Sequence, residues 1–354
     1  LKAWILYGVN DLRLEERPIP EPGEGETLIR VQAAGICGSD IPRIFVNGAH
    51  NMPLVPGHEF AGIVEKTGTG VKSDLVGKRV GIFPLLPCRK CGPCFKGKYE
   101  MCRSYDYLGS RSDGGFAEFV IVPADNLIEL PGNISFEEGA MLEPMAVAVH
   151  AVRRGLYEGL SKDSVVVVCG LGTIGLLIVM FLLDMGYRNL YVIGNKESQK
   201  KRAMDLGLSE DRYLDGRLKA DDQLFSLTSG ADLFFECVGR NESASSAVSC
   251  CAPGGHILYV GNPHSDMLFE RNVYWKILRN QLVLAGTWNS SFDILAKDGR
   301  HDDDWSYALD RVSGGGLKPD LLITHRLPLA ELDRGLKVMR DKTEDFCKVM
   351  CTFG

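Results

Sequence analysis

No basic-then-apolar leader opens this chain: Leu1-Lys2-Ala3-Trp4 runs straight into strand-like sequence, so a cytoplasmic location is expected rather than a secreted one. An excess of positive charge is also missing. With Lys+Arg 40 against Asp+Glu 46, and a net charge of -6, the broad basic footprint of a nucleic-acid-binding protein is excluded. Internal repeats and low-complexity segments are absent. Only one stretch, Val165 to Leu183, is uncharged over a length that approaches a membrane span. Gly170, Gly172 and Gly175 interrupt it, with β-branched residues before them and Leu/Met-rich sequence after. A buried strand, a tight turn and a buried helix account for that pattern better than a membrane span does.

At 354 residues, 45% hydrophobic and 24% charged, the chain is that of a folded protein too long for one ordinary core, and two domains are expected. Eleven cysteines cannot all pair, and in a reducing compartment they point to metal or chemistry rather than disulfides. Up to about residue 146 the sequence reads as short alternating strands separated by turn residues, such as Thr27-Leu-Ile-Arg-Val-Gln-Ala33, Ala61-Gly-Ile-Val-Glu-Lys-Thr67 and Phe116-Ala-Glu-Phe-Val-Ile-Val122. This suggests a compact β-barrel-like domain. Beyond it, apolar strands at Val165-Val-Val-Val-Cys169, Leu190-Tyr-Val-Ile193, Asp232-Leu-Phe-Phe-Glu236 and His256-Ile-Leu-Tyr-Val260 alternate with helical stretches. That is the signature of βαβ units and a mainly parallel, doubly wound sheet, expected over 147–287. Short strands return near the C-terminus, as at Leu321-Leu-Ile-Thr-His325, and 288–354 is expected to complete the first domain.

Four thiols, Cys88, Cys91, Cys94 and Cys102, share one short loop that also holds Arg89, Lys90, Lys96 and Lys98. Zinc takes four thiolates tetrahedrally, and such spacings let one loop wrap around the ion, with no open position for catalysis. An iron–sulfur cluster or plain reduced thiols are the competing readings, but no electron-transfer context accompanies them. A second set of ligand types is dispersed: Cys37 in Gly35-Ile-Cys-Gly-Ser-Asp40, His58 and Glu59 in Gly57-His-Glu59, and Glu143 in Leu142-Glu-Pro-Met145. A catalytic zinc ordinarily has three protein ligands and an open fourth position. Singly, each of these motifs is ordinary loop or core sequence.

Taken in order, Cys37-Gly-Ser-Asp40, Gly57-His-Glu59, the four-cysteine loop, Asp113-Gly-Gly-Phe-Ala-Glu118, Glu143-Pro144 and the glycine motif at Gly170 resemble the medium-chain zinc alcohol and polyol dehydrogenases over essentially the whole chain. The resemblance implies an α/β fold, a GroES-like β-barrel catalytic domain with a Rossmann domain between its two segments, and an active site in the cleft between domains. It places Cys37, His58 and Glu143 at the catalytic zinc and Glu59 beside it, with the choice of direct carboxylate ligand open. It also makes Ser39 the hydroxyl that accepts the alcohol proton, though a Ser in a Gly-Ser-Asp turn can equally serve as a cap. Many relatives carry a proton-passing His where this chain has Pro42, so the proton must leave by water, the cofactor ribose or another residue. A zinc-free reductase of the same fold would not need Cys37, His58 and Glu143 together. A zinc-binding protein without enzymatic function would leave the glycine motif idle. The resemblance further implies a homodimer or homotetramer.

Gly170-Leu-Gly-Thr173-Ile174-Gly175 follows a strong strand and opens a helix, the setting in which glycines bring backbone close to a dinucleotide pyrophosphate. The next strand ends in Gly194-Asn195-Lys196 without the acid that grips the adenosine ribose, and Lys200, Lys201 and Arg202 follow. Missing repulsion and nearby positive charge favour NADP slightly; a solvated basic helix face with Asn195 on the ribose of NAD is the alternative. Val238 and Gly261, in Glu236-Cys-Val-Gly239 and Tyr259-Val-Gly-Asn262, are expected at strand ends facing the cofactor, and His150 is read as structural. Within the family, the stretch from Cys37 to His50, Pro84-Leu-Leu-Pro-Cys88, Tyr105-Asp-Tyr-Leu-Gly-Ser-Arg111 and Lys276-Ile-Leu-Arg279 resemble members that oxidise a sugar-alcohol phosphate, of the galactitol 1-phosphate to tagatose 6-phosphate type. Unphosphorylated polyols or diols, of the sorbitol or butanediol type, are the runner-up. Arg43 and Arg111 are the candidate phosphate contacts, with a plain ion pair as the alternative for either.

Overall fold

The structure, a computed structural model, describes residues 1–293 and 302–353. The chain divides into two compact units, Leu1–Ala146 with Ser291–Gly354 and Val147–Ser290.

In the first unit, β1 (Glu26–Ile36), β2 (Glu59–Thr67), β3 (Arg79–Ile82), β4 (Phe119–Pro123) and β5 (Leu127–Glu129) lie in one seven-stranded sheet with two C-terminal strands described below. One edge of β1 pairs antiparallel with β2 along most of its length. Its other edge is shared: β4 covers Glu26 to Arg30, leaving Ala33 to Ile36 for the end of the chain. Alternation of apolar residues puts Ile29, Val31, Phe60, Val64, Val80 and Val120 into one core. The strand expected from Phe116 begins at Phe119, because Phe116 is tied by its carbonyl to the amide of Trp4. Helix α1 (Phe136–Gly155) contains both Pro144 and the division between the units.

The second unit is built on β6 (Val166–Cys169), α2 (Thr173–Asp184), β7 (Leu190–Gly194), α3 (Glu197–Asp205), β8 (Tyr213–Asp215), β9 (Ala231–Glu236), α4 (Asn241–Cys250), β10 (Cys251–Tyr259), α5 (Arg271–Arg279) and β11 (Val283–Gly286). All its strands are parallel, in the order β8-β7-β6-β9-β10-β11. Counted from β6 this is 3-2-1-4-5-6, the doubly wound order in which a dinucleotide binds where the order reverses. The uncharged run from Val165 to Leu183 resolves into β6, a turn and α2, whose residues Leu176 to Leu182 are buried. No helix among the described residues is long and apolar enough to cross a membrane.

The C-terminal segment returns to the first unit as β12 (Ile323–Pro328), α6 (Leu332–Asp341) and β13 (Lys348–Thr352). The strand expected from Leu321 starts two residues later, since Pro319 to Leu322 form a 3-10 turn. β13 inserts between β12 and the free stretch of β1, parallel to the former and antiparallel to the latter.

Candidate functional site

Two strands converge on the dispersed ligand set. Cys37 follows the last residue of β1, His58 immediately precedes β2, and Glu59 is the first residue of β2, paired across the sheet with Gly35. The turn after β1 is fixed by Asp40, fully buried, whose Oδ2 accepts the Cys37 amide at 3.0 Å and whose other oxygen binds Arg43. Gly57, with φ +95°, is required here: an added Cβ would lie 2.6 Å from the ring of Phe116. One donor atom each from Cys37, His58 and Glu59 lies within 4.8 Å of the others.

This thiol, imidazole and carboxylate set fits a zinc site with an open position. His58 is buried, and its Nδ1 has no hydrogen-bond partner and stands 3.7 Å from Asp40 Oδ1. Burial, reinforced by Glu59 and Asp40, pushes the Cys37 thiol up to about 12, so a cation is what would keep it a thiolate.

The choice between the two glutamates, open in the sequence, has a geometric counterpart. Glu59 belongs to the close donor group and Glu143 does not. From α1, Glu143 instead accepts the Tyr107 hydroxyl at 3.0 Å, and burial above all raises its carboxyl to about 7. Glu59 is carried by the strand that His58 enters, whereas Glu143 is bonded to a phenol 36 positions away. Two partners, half-buried Tyr107 and buried Lys348, were missed by the sequence reading. Tyr107 packs edge-on to His58, with centroids 5.8 Å apart, and burial lifts its pKa well above the usual value. Lys348, the first residue of β13, donates to Glu59 Oε2 at 2.5 Å and to the Ile36 carbonyl at 3.2 Å. Burial pulls its pKa down, but Glu59 and Cys37 outweigh that and keep it raised. A single lysine in the otherwise apolar run Lys348-Val-Met-Cys-Thr352 was the available signal. Ser39 lies at the start of the helical turn after Cys37, and its side chain makes no cap hydrogen bond there.

In the four-cysteine loop, Sγ–Sγ separations are 4.0 Å for Cys88–Cys94, 3.5 Å for Cys91–Cys94 and 3.9 Å for Cys91–Cys102. Tetrahedral zinc with sulfur at about 2.3 Å demands edges of about 3.8 Å, so the four thiols fit that ion. The Arg103 and Cys94 amides, hydrogen-bonded to Cys91, lower its pKa to about 6, while burial raises Cys94 to about 12.

In the second unit, Gly170 has φ +95° and a Cβ there would meet Val238 Cγ2 at 2.6 Å; one on Gly175 would lie 1.9 Å from the Gly170 carbonyl. The turn is therefore closed to side chains, while Gly172, which caps α2 without any side-chain hydrogen bond, faces open space on that side. Thr173 and Ile174 form the first turn of α2. This helix N-terminus fits a pyrophosphate. Gly261 packs against the backbone of Val238 and Gly239. The carboxylate of Glu236 accepts the amides of Val238 and Gly239 at 2.8 and 2.9 Å. At Gly194 the place of the missing acid is filled by Tyr213 and Gln199, whose Oε1 also accepts the Asn195 amide. Lys196 caps α3, and Lys200 is bound to Glu210. Of the candidate phosphate contacts, Arg43 is held by Asp40, and Arg111 lies 4.3 Å over the Tyr105 ring and donates to the Tyr105 carbonyl.

Residues 23–132 match the alcohol dehydrogenase GroES-like domain, and residues 173–312 match the zinc-binding dehydrogenase domain. Galactitol 1-phosphate 5-dehydrogenase of Escherichia coli K12 is 35% identical over 287 residues, 79% of this chain and 82% of that one. Sorbitol dehydrogenase of Bombyx mori is 32% identical over 349 residues, covering 96% and 95%. Among solved structures, Escherichia coli galactitol-1-phosphate dehydrogenase superposes with a TM-score of 0.88 at 30% identity, over 99% of this chain and 100% of that one. A zinc-binding dehydrogenase of Sinorhizobium meliloti bound to NADP (27%, 99% and 98% covered) and an alcohol dehydrogenase of Escherichia coli CFT073 complexed with NADH (28%, 99% of each) both reach 0.87. With two metal-ligand sets, a doubly wound nucleotide fold and these relatives, the chain belongs to the zinc-dependent medium-chain polyol dehydrogenase family.

Proposed function

We propose that this enzyme oxidises a secondary alcohol of a sugar-alcohol phosphate, of the galactitol 1-phosphate to tagatose 6-phosphate type, with a nicotinamide cofactor. The observation that carries the reading is the close grouping of Cys37, His58 and Glu59, a set with room for one exogenous oxygen. A zinc ion held there supplies Lewis acidity that makes a bound hydroxyl easier to deprotonate. The turn at Gly170 to Gly175 would hold the nicotinamide cofactor, which would supply the hydride acceptor. Ser39, two residues from Cys37 and free of a capping role, takes the hydroxyl proton. Glu59 and Cys37 provide the negative charge that retains the metal, and Asp40 fixes the turn carrying Cys37 and Ser39. Pro42 has no titratable group, so the proton leaves Ser39 by another route.

One observation favours the second reading, an unphosphorylated polyol or diol. Arg43 and Arg111 are both already engaged, and Asp40 would oppose an anion at Arg43. Galactitol 1-phosphate, galactitol, sorbitol and butane-2,3-diol assayed side by side with NAD⁺ and NADP⁺ decide between the two. A charge-assisted phosphate contact makes kcat/KM for galactitol 1-phosphate about ten- to a hundredfold above that for galactitol. Equal or better use of the unphosphorylated compounds transfers the assignment to the second reading.

For the cofactor we favour NADP, supported by the absence of an acid at the end of β7. Gly194→Asp should cut kcat/KM with NADP⁺ about tenfold or more relative to NAD⁺, through repulsion of the 2′-phosphate. The new Cβ meets Tyr213 atoms at 3.0 Å and Gln199 Oε1 at 3.1 Å, so both side chains must give way. A parent enzyme already strongly preferring NAD⁺ overturns the NADP assignment.

A further inference from the structure

A phenol has one proton to donate, and in Tyr107 it goes to Glu143 Oε1 at 3.0 Å. The same ring stands edge-on to His58, with centroids 5.8 Å apart, so one side chain bridges a metal ligand and a carboxylate outside the close donor group. That carboxylate is buried, and near enough to His58 and Glu59 to feel both charges. The two partners are anchored unequally. Tyr107 pairs with Leu85 across a short two-stranded ladder, and its carbonyl accepts the amides of Ser110, Arg111 and Ser112 at 3.1, 2.9 and 3.3 Å. Glu143 precedes Pro144 within α1, where the proline removes the amide that would bond the Ala140 carbonyl. The phenol is the fixed member of the pair and the carboxylate the held one.

We propose that Tyr107 is a positioning residue that tethers Glu143 outside the metal's ligand set and so keeps the open coordination position free for a substrate hydroxyl. The inference rests on the reading of Cys37, His58 and Glu59 as ligands. A buried carboxylate that loses its donor is left with an unmet acceptor, which costs free energy until it finds another partner. A cation held by Cys37, His58 and Glu59 is such a partner, and Glu143 would meet it at the fourth position, the one the hydroxyl needs. One phenol proton thus separates a centre with three protein ligands from one closed by four. A tyrosine that merely ties α1 to the neighbouring turn would lower stability when removed and leave the open position as it was.

Imidazole, a small neutral ligand for cobalt(II), reports the open position in the absence of substrate and cofactor. With cobalt exchanged for zinc, difference spectra against Cys37→Ser isolate the dispersed site from the four-thiolate loop. Tyr107→Phe should shift the cobalt ligand-field bands and weaken imidazole binding about tenfold, the scale on which partners of metal ligands act. In the Glu143→Gln background, Tyr107→Phe should change neither. If Tyr107→Phe leaves too little folded protein, Tyr107→Leu takes its place with the same outcomes. Parent-like spectra and imidazole affinity in the variant without the hydroxyl overturn the proposal, as does a change that persists in the Glu143→Gln background. A parent enzyme lacking any thiolate–cobalt band in the difference spectrum overturns the ligand set, and the proposal with it.

Discussion

Cys37→Ser is expected to leave a folded enzyme with one zinc per chain in place of two and with kcat lowered by about three orders of magnitude. The size follows from the loss of several kcal/mol of charge stabilisation at the reacting oxygen when the metal goes. The fold survives because Cys37 belongs to a turn already fixed by Asp40, whose carboxylate accepts the Cys37 amide, and that bond does not involve the sulfur. The neighbouring strands β1, β2 and β13 are held by their own ladders and by a continuous apolar core. Metal analysis, a thermal melt and a turnover assay on the same preparation check all three parts. A variant that keeps two zinc ions would remove Cys37 from the ligand set.

Cys91→Ser should do the opposite, with the melting temperature falling on the order of 10 °C. The loop from Cys88 to Cys102 buries little: Phe95 is 78% and Met101 55% exposed, and only Cys94, Tyr99, Glu100 and Cys102 are buried. Its regular structure amounts to a four-residue helix and a 3-10 turn, too short to persist alone. Four thiols at zinc-fitting separations are then the main source of its order, and metal binding there is folding energy. Thermal melts of Cys37→Ser and Cys91→Ser beside the parent test this division. Equal losses of stability would contradict it.

What the sequence made legible is what neighbouring residues determine. The glycine turn before α2 and the four-cysteine loop are both local, and both take the geometry that their spacing implies. The alternation of apolar strands with helical stretches likewise leads to the parallel sheet. The unread part lies in contacts between distant residues. Lys348 meets Glu59 across 289 positions, and Tyr107 meets Glu143 across 36, so no window of sequence contains either pair. The placement of the two glutamates turned on those partners, which is why sequence could name both and order neither. At Gly194 the missing acid was visible and the side chains replacing it were not, because Tyr213 arrives from the adjacent strand.

The insertion of β13 against β1 has a consequence for biosynthesis. Ile36 and Lys348 are 312 residues apart, so a ribosome delivers the open stretch of β1 long before its partner exists. The second unit is contiguous in sequence and has all six of its strands in hand by Gly286, free to condense while the first unit still waits. During that interval Ala33 to Ile36 present unpaired backbone, the kind of edge on which chains misassociate. A nascent or truncated chain that stops before Lys348 carries Cys37, His58 and Glu59 without the ammonium that pairs with Glu59.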